Sequence, residues 1–307
     1  MDLDMRSESN VFVAVYMITY NHEAYIEQAV VSILSQDTKF NYKLFIGEDC
    51  STDRTATICK KLKEKYTDKI ELIIHSENVG PNRNALSIYK ACFESGASYI
   101  AMCEGDDYWT DPNKLQKQVD FLEANEEYVL CFHKVKILKP DGALVDDYIT
   151  KVPENYETYE TLARLGNYIH TPTVVFRNIL TEFPFEYNLS PIGDYFLYMM
   201  LSEQGKLKYI EEEMAVYRYG VGIFSNKGKI QMAKANFKLF TLLLSYSGSP
   251  KINQILLDRQ LTAFDHLEHM VRSEYAEAFV SHHVFFKALK SIRTPHKFWK
   301  KVRNKFR

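Results

Sequence analysis

The stretch SYIAMCEGDDYW, residues 98–109, decides the fold that we predict for this chain. Its first half, Ser98–Cys103, is a short apolar run typical of a buried strand. Its second half, Glu104–Trp109, is acidic and ends in two aromatic residues. A buried strand that passes directly into a polar loop is typical of an α/β sheet, in which ligands bind beyond the carboxyl ends of the strands.

Strand-like and helix-like segments alternate through the first half of the chain. Short apolar runs predict strands at Val11–Thr19, Lys43–Ile46, Ile70–His75 and Ser98–Cys103. Apolar residues at helical spacing predict helices at Glu23–Leu34, Asp53–Tyr66, Asn82–Phe93 and Leu115–Glu123, with Asp53 and Asn82 as helix caps. The alternation predicts βαβ units on a mostly parallel, Rossmann-like sheet flanked by helices.

The rest of the chain shows a different pattern. Residues 128–219 mix irregular segments with short strands at Thr173–Phe176 and Glu213–Tyr219 and a helix at Tyr195–Gln204. From Lys229 onward the pattern is helical, with predicted helices at Met232–Leu244, Ile252–Met270 and about residues 276–292. We therefore expect an α/β domain over residues 1–225 and an α-helical C-terminal extension over residues 226–307.

Composition excludes several classes of protein. The 307 residues are 46% hydrophobic and 25% charged, which is ordinary for a globular chain and excludes a disordered or collagen-like one. No apolar run is long enough for a membrane span, and the polar start MDLDMRSESN shows no signal peptide. Five cysteines without a C-x-x-C pair predict buried free thiols in a reducing, cytoplasmic compartment.

The net charge of −2 conceals an uneven distribution. Residues 287–307 contain nine of the 38 Lys and Arg side chains and no Asp or Glu, so residues 1–286 carry 29 basic and all 40 acidic side chains. The basic tail also contains Phe298, Trp299 and Phe306, which predicts docking on an anionic membrane, with an ordinary solvated helix as the alternative. The acidic body argues against nucleic-acid binding. We expect a cytoplasmic protein, peripheral at the inner face of the plasma membrane.

Polar loops follow all four predicted strands, and they are Tyr20-Asn21-His22, Glu48–Asp53, Asn78–Asn84 and Glu104–Trp109. The adjacent carboxylates of Asp106 and Asp107 repel each other unless a positive charge lies between them. Mg²⁺ or Mn²⁺ bound to a diphosphate would supply that charge through oxygen ligands, and an acidic solvated loop is the alternative.

Other residues of these loops suit a nucleotide. Asp49 could accept hydrogen bonds from a base or a ribose, and Tyr20 could stack on a base. Asn21 could shape its turn, and Arg83 could meet phosphate or base, although an exposed Arg without a ligand is an equal alternative.

In order and spacing, these motifs resemble the family 2 glycosyltransferases with the GT-A fold, over about residues 10–225. The matching residues are Thr19-Tyr20-Asn21, Gln36, Glu48–Asp53, Asn78-Val79-Gly80, Glu104–Trp109, Asp111–Leu115 and Gly193–Leu197. The resemblance implies an inverting, hexosyl-type transferase of polysaccharide biosynthesis that uses a nucleoside-diphosphate sugar, foremost a UDP-sugar. The implied acceptor is a hydroxyl of a glycan or of a lipid-linked glycan.

The resemblance also implies roles for individual residues. Asp106 and Asp107 match the D-x-D-type metal motif, with Asp107 as the direct ligand of Mg²⁺ or Mn²⁺ and Asp106 nearer the ribose. Asp194 matches the carboxylate base, and a plain helix N-cap is its alternative. The candidate substrate-binding residues are Thr19, Tyr20, Asn21, Glu48, Asp49, Arg83, Asp106, Trp109 and His170.

One segment departs from the family. Related sequences commonly place a His after a Tyr-Arg pair, whereas residues 217–225 read YRYGVGIFS. This keeps open a second class of function, a non-catalytic nucleotide-sugar-binding protein. A nucleotidyltransferase is a third candidate. Such an enzyme needs a Gly-rich basic loop after the first strand, whereas the residues at that place, Tyr20–Glu23, are acidic. His170 suits an acceptor site or a structural role.

Overall fold

The structure is a computed structural model that describes residues 11–222 and 228–274. The chain divides into two compact units, residues 1–226 and 227–307. The predicted helix at about residues 276–292, the basic tail and the segment Ile223–Ser225 lie outside the described residues.

The first unit begins with the predicted βαβ alternation. The strands are β1 (Val13–Thr19), β2 (Tyr42–Glu48), β3 (Ile70–Ile74) and β4 (Tyr99–Met102). The helices are α1 (Ile26–Leu34), α2 (Thr55–Lys65), α3 (Pro81–Glu94) and α4 (Lys114–Ala124). The four strands pair in the order β3-β2-β1-β4, all parallel, which confirms the mostly parallel α/β fold.

The second half of the sheet adds antiparallel strands. Its strands are β5 (Tyr108–Trp109), β6 (Tyr128–Leu138), β7 (Leu144–Asp146), β8 (Val175–Arg177) and β9 (Lys206–Arg218). Within the described residues the order continues β4-β8-β6-β9-β5, with β7 on β6. Short helices α5 (Tyr159–Leu165), α6 (Phe185–Asn188) and α7 (Gly193–Ser202) and a 3-10 turn (Thr171–Thr173) connect them.

Two of these strands correct the prediction of a mixed, irregular middle. β6 has 11 residues and β9 has 13, and they pair in parallel along most of their length. Charged residues interrupt the apolar pattern of β6, and its register on β9 shifts around Lys134. In β9 the exposed run Glu211–Glu213 breaks the alternation. Pairing between distant strands therefore overrides a weak local pattern.

The core lies between the sheet and the helices that cover it. α1 buries Ile26, Ala29, Val30 and Ile33, one face of a 3.6-residue period, against the apolar side chains of β1. Each large aliphatic side chain buried in this way contributes roughly 1.5–3 kcal/mol. The polar ends of β1, β2 and β4 are thus held on a rigid base.

Both predicted helix caps are wrong in position. The N-cap of α2 is Arg54, and Asp53 instead accepts hydrogen bonds from the backbone N–H groups of Thr55 (2.9 Å) and Glu23 (3.0 Å). α3 begins at Pro81 after Gly80, which has a φ of 84°, a conformation that favours glycine. Asn82 lies inside α3 and donates to the carbonyl of Ser190 at 2.7 Å.

The described part of the second unit is a pair of helices, α8 (Lys229–Tyr246) and α9 (Pro250–Glu274). They pack through Phe237 and Phe264, whose ring centroids are 5.8 Å apart, and Gln260 donates to the hydroxyl of Thr241 at 2.7 Å. None of the described helices combines the length and the apolar character that a membrane crossing needs.

Candidate active site

The site lies where β1, β2 and β4 end at the same edge of the sheet. Backbone hydrogen bonds join the three ends: Asp49 N–H donates to the carbonyl of Thr19 (3.1 Å), and Gly105 N–H to that of Ile18 (3.0 Å). A Cβ on Gly105 would lie 2.6 Å from the hydroxyl oxygen of Thr19, so only glycine allows this approach. The loops that carry the predicted site residues are therefore adjacent.

Asn21 locks the loop after β1 to the loop after β2. Its backbone has a φ of 55°, a conformation that asparagine tolerates better than most residues. Its N–H donates to the hydroxyl of Ser51 (3.0 Å), and its side-chain oxygen accepts from Thr52 N–H (2.8 Å). Tyr20, half-buried beside it, directly follows the end of β1.

Asp49 and Glu48 are buried, and their carboxylates accept hydrogen bonds from backbone N–H groups of neighbouring loops. Asp49 accepts hydrogen bonds from the N–H groups of Val79 (2.7 Å) and Gly80 (3.0 Å), so it positions the loop before α3. The sequence alone did not indicate this role. One oxygen of Glu48 accepts from Ser51 N–H at 2.8 Å, and the other is buried without a partner among the described residues. Arg83 is exposed in the first turns of α3.

Three carboxylates gather after β4. Glu104, Asp106 and Asp107 each offer an oxygen within 4.8 Å of the others. One oxygen of Asp107 accepts from the backbone N–H of Arg218 at 2.8 Å, while the other is buried without a partner among the described residues. Sequence reasoning missed Glu104, although it opens the motif Glu104-Gly105-Asp106-Asp107.

The three carboxylates of this cluster repel one another when they are ionised. Burial, followed by the charges of Asp106 and Asp194, raises the pKa of Glu104 to about 8. Burial, followed by Asp106 and Glu104, raises the pKa of Asp107 well above its ordinary value. Because three acidic groups are held close together with little solvent, a cation beside them would relieve the repulsion. The cluster therefore has the chemistry of a site for a hard divalent ion.

Arg218 is the cationic neighbour of the cluster. Its guanidinium lies between two rings, 4.9 Å from the centroid of Tyr25 and 4.7 Å from that of Tyr108. It donates to the backbone carbonyl of Asp106 and to the side chain of Gln28. Arg218 is the final residue of β9, so the length of this strand brings it to the acidic loop, which it holds in place.

The structure corrects the prediction that Trp109 contacts the substrate. It is 3% exposed, its indole N–H donates to the carbonyl of Pro172 at 2.8 Å, and the ammonium of Lys114 lies 4.1 Å from its ring centroid. We therefore assign Trp109 a packing role, because its ring is enclosed by protein and its polar atom is satisfied.

Asp194 lies in the first turn of α7, but it is not the helix N-cap, which is Ile192. Its carboxylate accepts from Asn167 (3.1 Å) and from Tyr195 N–H (2.8 Å). Burial raises the pKa of Asp194. Its charge contributes to the raised pKa of Glu104, so it acts on the same electrostatic environment as the acidic cluster.

His170 lies further along the loop that carries Asn167. Its Nε2 is 3.0 Å from a carboxylate oxygen of Asp147, and its ring centroid is 4.9 Å from that of Tyr217. Burial opposes ionisation of Asp147, but hydrogen bonds from His170 and Thr150 outweigh it and lower the pKa of this carboxyl. His170 thus already has a hydrogen-bond partner in Asp147.

Solved structures share this architecture. The S. aureus TarS 1–349 structure in complex with UDP has a TM-score of 0.57 at 17% identity, over 87% of this chain and 74% of that one. Mannosyltransferase PcManGT from Pyrobaculum calidifontis, in complex with GDP-Man and Mn²⁺, has a TM-score of 0.58 at 16% identity, over 95% and 84%. At such identities the likeness concerns the fold alone, and it confirms the predicted GT-A type.

Sequence comparison identifies the family. The uncharacterized protein Rv1520 of Mycobacterium tuberculosis is 34% identical over 206 residues, and the aligned region covers 67% of this chain and 58% of that relative. The chain thus spans less than two thirds of this curated relative. The model described as Glycosyl transferase family 2 matches residues 14–183. Because that match covers more than half of the chain, the chain belongs to glycosyl transferase family 2.

Proposed function

We propose that this protein transfers a sugar from a nucleoside-diphosphate sugar to an acceptor hydroxyl, with inversion at the anomeric carbon. The observation that carries the proposal is the cluster of Glu104, Asp106 and Asp107, whose electrostatic environment Asp194 shares. The acidic cluster suits the diphosphate side of the donor, and Asp194 suits the side from which the acceptor hydroxyl attacks.

The acidic cluster fits a divalent cation, Mg²⁺ or Mn²⁺. Asp107 has a buried oxygen without a partner among the described residues, and hard cations bind carboxylate oxygens. We propose that Asp106, Asp107 and Glu104 would hold the ion. The backbone N–H of Arg218, which donates to Asp107, would keep that carboxylate in position. A bound cation would neutralise the charge that develops on the departing diphosphate.

The loops after β1, β2 and β3 are the proposed nucleotide site. Thr19, Tyr20 and Asn21 form its first wall, and Glu48 and Asp49 its second, with the exposed Arg83 available to phosphate. The complexes of TarS with UDP and of PcManGT with GDP-Man support a nucleoside-diphosphate sugar as the donor class. Within that class we propose a UDP-sugar.

Asp194 is the proposed general base. It would take the proton of the acceptor hydroxyl while that oxygen forms a bond to the anomeric carbon. The bond from this carbon to the diphosphate oxygen breaks in the same displacement, and its electron pair leaves with the nucleoside diphosphate. A single displacement inverts the configuration and needs no covalent enzyme intermediate. The raised pKa of Asp194 suits this role, because it makes the carboxylate a stronger base.

The proposed acceptor is a glycan or a lipid-linked glycan. The basic segment 287–307 supports the second class, since it would hold the protein against an anionic membrane. In this proposal the protein acts at the inner face of the plasma membrane.

Thermal unfolding in the presence of candidate donors tests the proposal. We expect one nucleoside-diphosphate sugar, with Mn²⁺, to raise the melting temperature, and a chelator to abolish the increase. Asp106→Asn should lose this response, whereas Asp68→Asn, which changes an exposed carboxylate in the turn after α2, should keep it. A response that survives both chelation and Asp106→Asn would contradict the metal assignment, and no response to any donor would contradict the function.

A further inference from the structure

Asn167 is a residue outside the strand-end loops that contacts the proposed base directly. It lies in the segment between α5 and the 3-10 turn, after Gly166, which ends α5 with a φ of 91°, a conformation that favours glycine. The side chain of Asn167 is exposed, whereas the next two residues, Tyr168 and Ile169, are 4% and 3% exposed. An accessible polar side chain therefore lies on a segment that its neighbours anchor in the protein.

Contacts that do not involve Asn167 fix this segment relative to α7. The hydroxyl of Tyr195, the residue after Asp194, donates to the carbonyl of Leu162 in α5 at 2.8 Å. Beyond Asn167, the hydroxyl of Tyr168 donates to the carbonyl of Tyr156 at 2.5 Å. Both tyrosines are buried. The position of residue 167 beside the first turn of α7 is therefore set by its surroundings, and we expect it to survive a change of the Asn167 side chain.

The amide of Asn167 has one orientation that satisfies both of its neighbours. Its Oδ1 accepts from the backbone N–H of Ile169 at 3.0 Å, and its Nδ2 lies 3.1 Å from Oδ2 of Asp194. A backbone N–H only donates and an ionised carboxylate only accepts, so an exchange of Oδ1 and Nδ2 would lose both bonds. Asn167 is therefore a hydrogen-bond donor to Asp194.

This donor acts on both the direction and the charge of the Asp194 carboxylate. Oδ1 of Asp194 accepts from the N–H of Tyr195 at 2.8 Å and Oδ2 accepts from Asn167, so each oxygen has one donor and keeps a lone pair. Burial raises the pKa of Asp194, and the hydrogen bonds from Tyr195 N–H and from Asn167 oppose that shift. A general base must be ionised before it can take a proton, so the bond from Asn167 favours the active form.

We infer that Asn167 is a positioning residue, which holds the carboxylate of Asp194 in one orientation and in its ionised form for the acceptor hydroxyl. The inference rests on the proposed function and makes it more specific, because it assigns control of the base to the segment after α5. The alternative is a structural role, in which Asn167 only shapes its own turn through the bond with Ile169.

Other titratable groups also act on Asp194, so its titration must be observed directly. They come from the loop after β4, from α3, α6, α7 and β9, and from the segment before the 3-10 turn, and they are Glu104, Tyr89, Tyr187, Tyr198, Tyr217 and His170. Burial raises the pKa of all four tyrosines, which therefore stay neutral. Glu104 and His170 are the neighbours whose charge would add to the effect of Asn167.

Two substitutions separate donation to Asp194 from shaping of the turn. Asn167→Asp keeps an oxygen for the N–H of Ile169 but replaces the donor with a second carboxylate, whereas Asn167→Ala removes both bonds. Asn41→Asp is the matched control, because it adds the same charge at an exposed position directly before β2, at the edge of the sheet opposite the site. Carbon-13 NMR of the full chain, labelled at the aspartate carboxyl carbons, follows the titration, and the signal of Asp194 is identified by its absence in Asp194→Asn.

We expect Asn167→Ala to raise the pKa of Asp194 by about 1, and Asn167→Asp to raise it by about 2, because two adjacent carboxyls then titrate as a coupled pair. Turnover at neutral pH should fall by about tenfold in Asn167→Ala and by more in Asn167→Asp, with the acid limb moved to higher pH in both. Donor affinity from thermal shift should stay unchanged. Asn41→Asp should match the unaltered chain, and melting temperatures report whether each variant is folded.

Two results would overturn the inference. One is a signal of Asp194 that titrates at the same pH in the unaltered chain and in Asn167→Asp. The other is a loss of turnover in Asn167→Ala that Asn167→Asp restores, because shaping of the turn would then be sufficient. Failure of the proposed function would appear differently, as the absence of turnover by the unaltered chain with every donor, and the titration of Asp194 would still decide whether Asn167 controls this carboxylate.

Discussion

At the scale of single residues, Asp194 is the carboxylate on which the proposed displacement depends. We predict that Asp194→Asn leaves donor affinity nearly intact and lowers turnover by about a hundredfold or more, because the amide cannot accept the proton. Donor affinity from thermal shift and turnover from nucleoside-diphosphate release separate the two effects. A large loss of donor affinity with little loss of rate would move Asp194 out of the base role.

The pH dependence of turnover gives a second prediction for Asp194. Burial raises the pKa of this carboxyl, and the base acts only when it is deprotonated. Turnover of the unaltered chain should therefore fall as the pH decreases through a pKa above the ordinary aspartate range. The residual rate of Asp194→Asn should lack this acid limb. An acid limb of the same position in both proteins would assign it to another group.

Lys114 is a buried cation that the proposed chemistry does not use. Its ammonium has no hydrogen-bond partner among the described residues, and burial lowers the pKa of Lys114 to about 7. The unfolded chain binds the proton up to a pH of about 10.4, so between these values unfolding takes up a proton. The contribution of Lys114 to stability therefore decreases as the pH falls from about 10 to about 7, and it is constant below that window.

We predict that Lys114→Met raises the free energy of unfolding at pH 7 by about 1–3 kcal/mol, because it removes an unsatisfied buried polar group and keeps most of the contact with Trp109. The variant should also show a weaker dependence of stability on pH between about 7 and 10. Denaturant unfolding at several pH values measures both effects. A variant less stable than the unaltered chain would show that the contact of the ammonium with the ring outweighs its desolvation.

At the scale of elements, the packing of α3 on β2 depends on one glycine. A Cβ on Gly47 would lie 2.1 Å from the side-chain oxygen of Asn84 and 2.6 Å from Cγ1 of Ile88. Asn84 also donates to the carbonyl of Gly47 at 2.9 Å. We predict that Gly47→Ala destabilises the protein by about 1–3 kcal/mol, because the backbones must separate. Gly248→Ala, where nothing lies within 4 Å of the new Cβ, is the control. Equal melting temperatures for the two variants would contradict this account.

The strands β6 and β9 show why the middle of the chain was harder to predict than its beginning. β1 and β4 are buried along nearly all of their length and consist of continuous apolar runs, which a local pattern identifies. β6 and β9 carry lysines and glutamates that pair across the strands, such as Lys134 with Glu213 at 2.8 Å. In the sequence these charged residues are typical of a loop. They form ion pairs only when the partner strand lies beside them.

At the scale of the whole molecule, the uneven charge predicts where the protein acts. Residues 287–307 carry nine basic side chains, and each adds about 1 kcal/mol of attraction near an anionic surface. We predict that the full chain sediments with anionic vesicles, and that a chain truncated after Val284 does not. Binding should weaken as ionic strength rises, and vesicles of neutral lipid are the control. Equal sedimentation of the two chains, or binding that ignores salt, would contradict the membrane proposal.

The sequence by itself determined the class of fold, the βαβ order and the family. It also identified the loops in which the site lies, because strand ends and polar loops are adjacent along the chain. Thr19 and Glu48 are the last residues of β1 and β2, and Asn21, Asp49, Asp106 and Asp107 lie in the loops that follow β1, β2 and β4. Their order and spacing are local properties, so they can be read without coordinates.

Only the tertiary structure decided which side chains meet. Arg218 donates hydrogen bonds to Asp106 and Asp107, which precede it by more than a hundred residues. Both carboxylate oxygens of Asp49 accept hydrogen bonds from the loop before α3. Trp109 follows the acidic motif directly, yet it is enclosed in the core. A pattern of residue types reports whether a position is apolar or polar, but not which distant backbone will satisfy it. That depends on the pairing of β9 with β6 and β5, which forms only when the chain is folded.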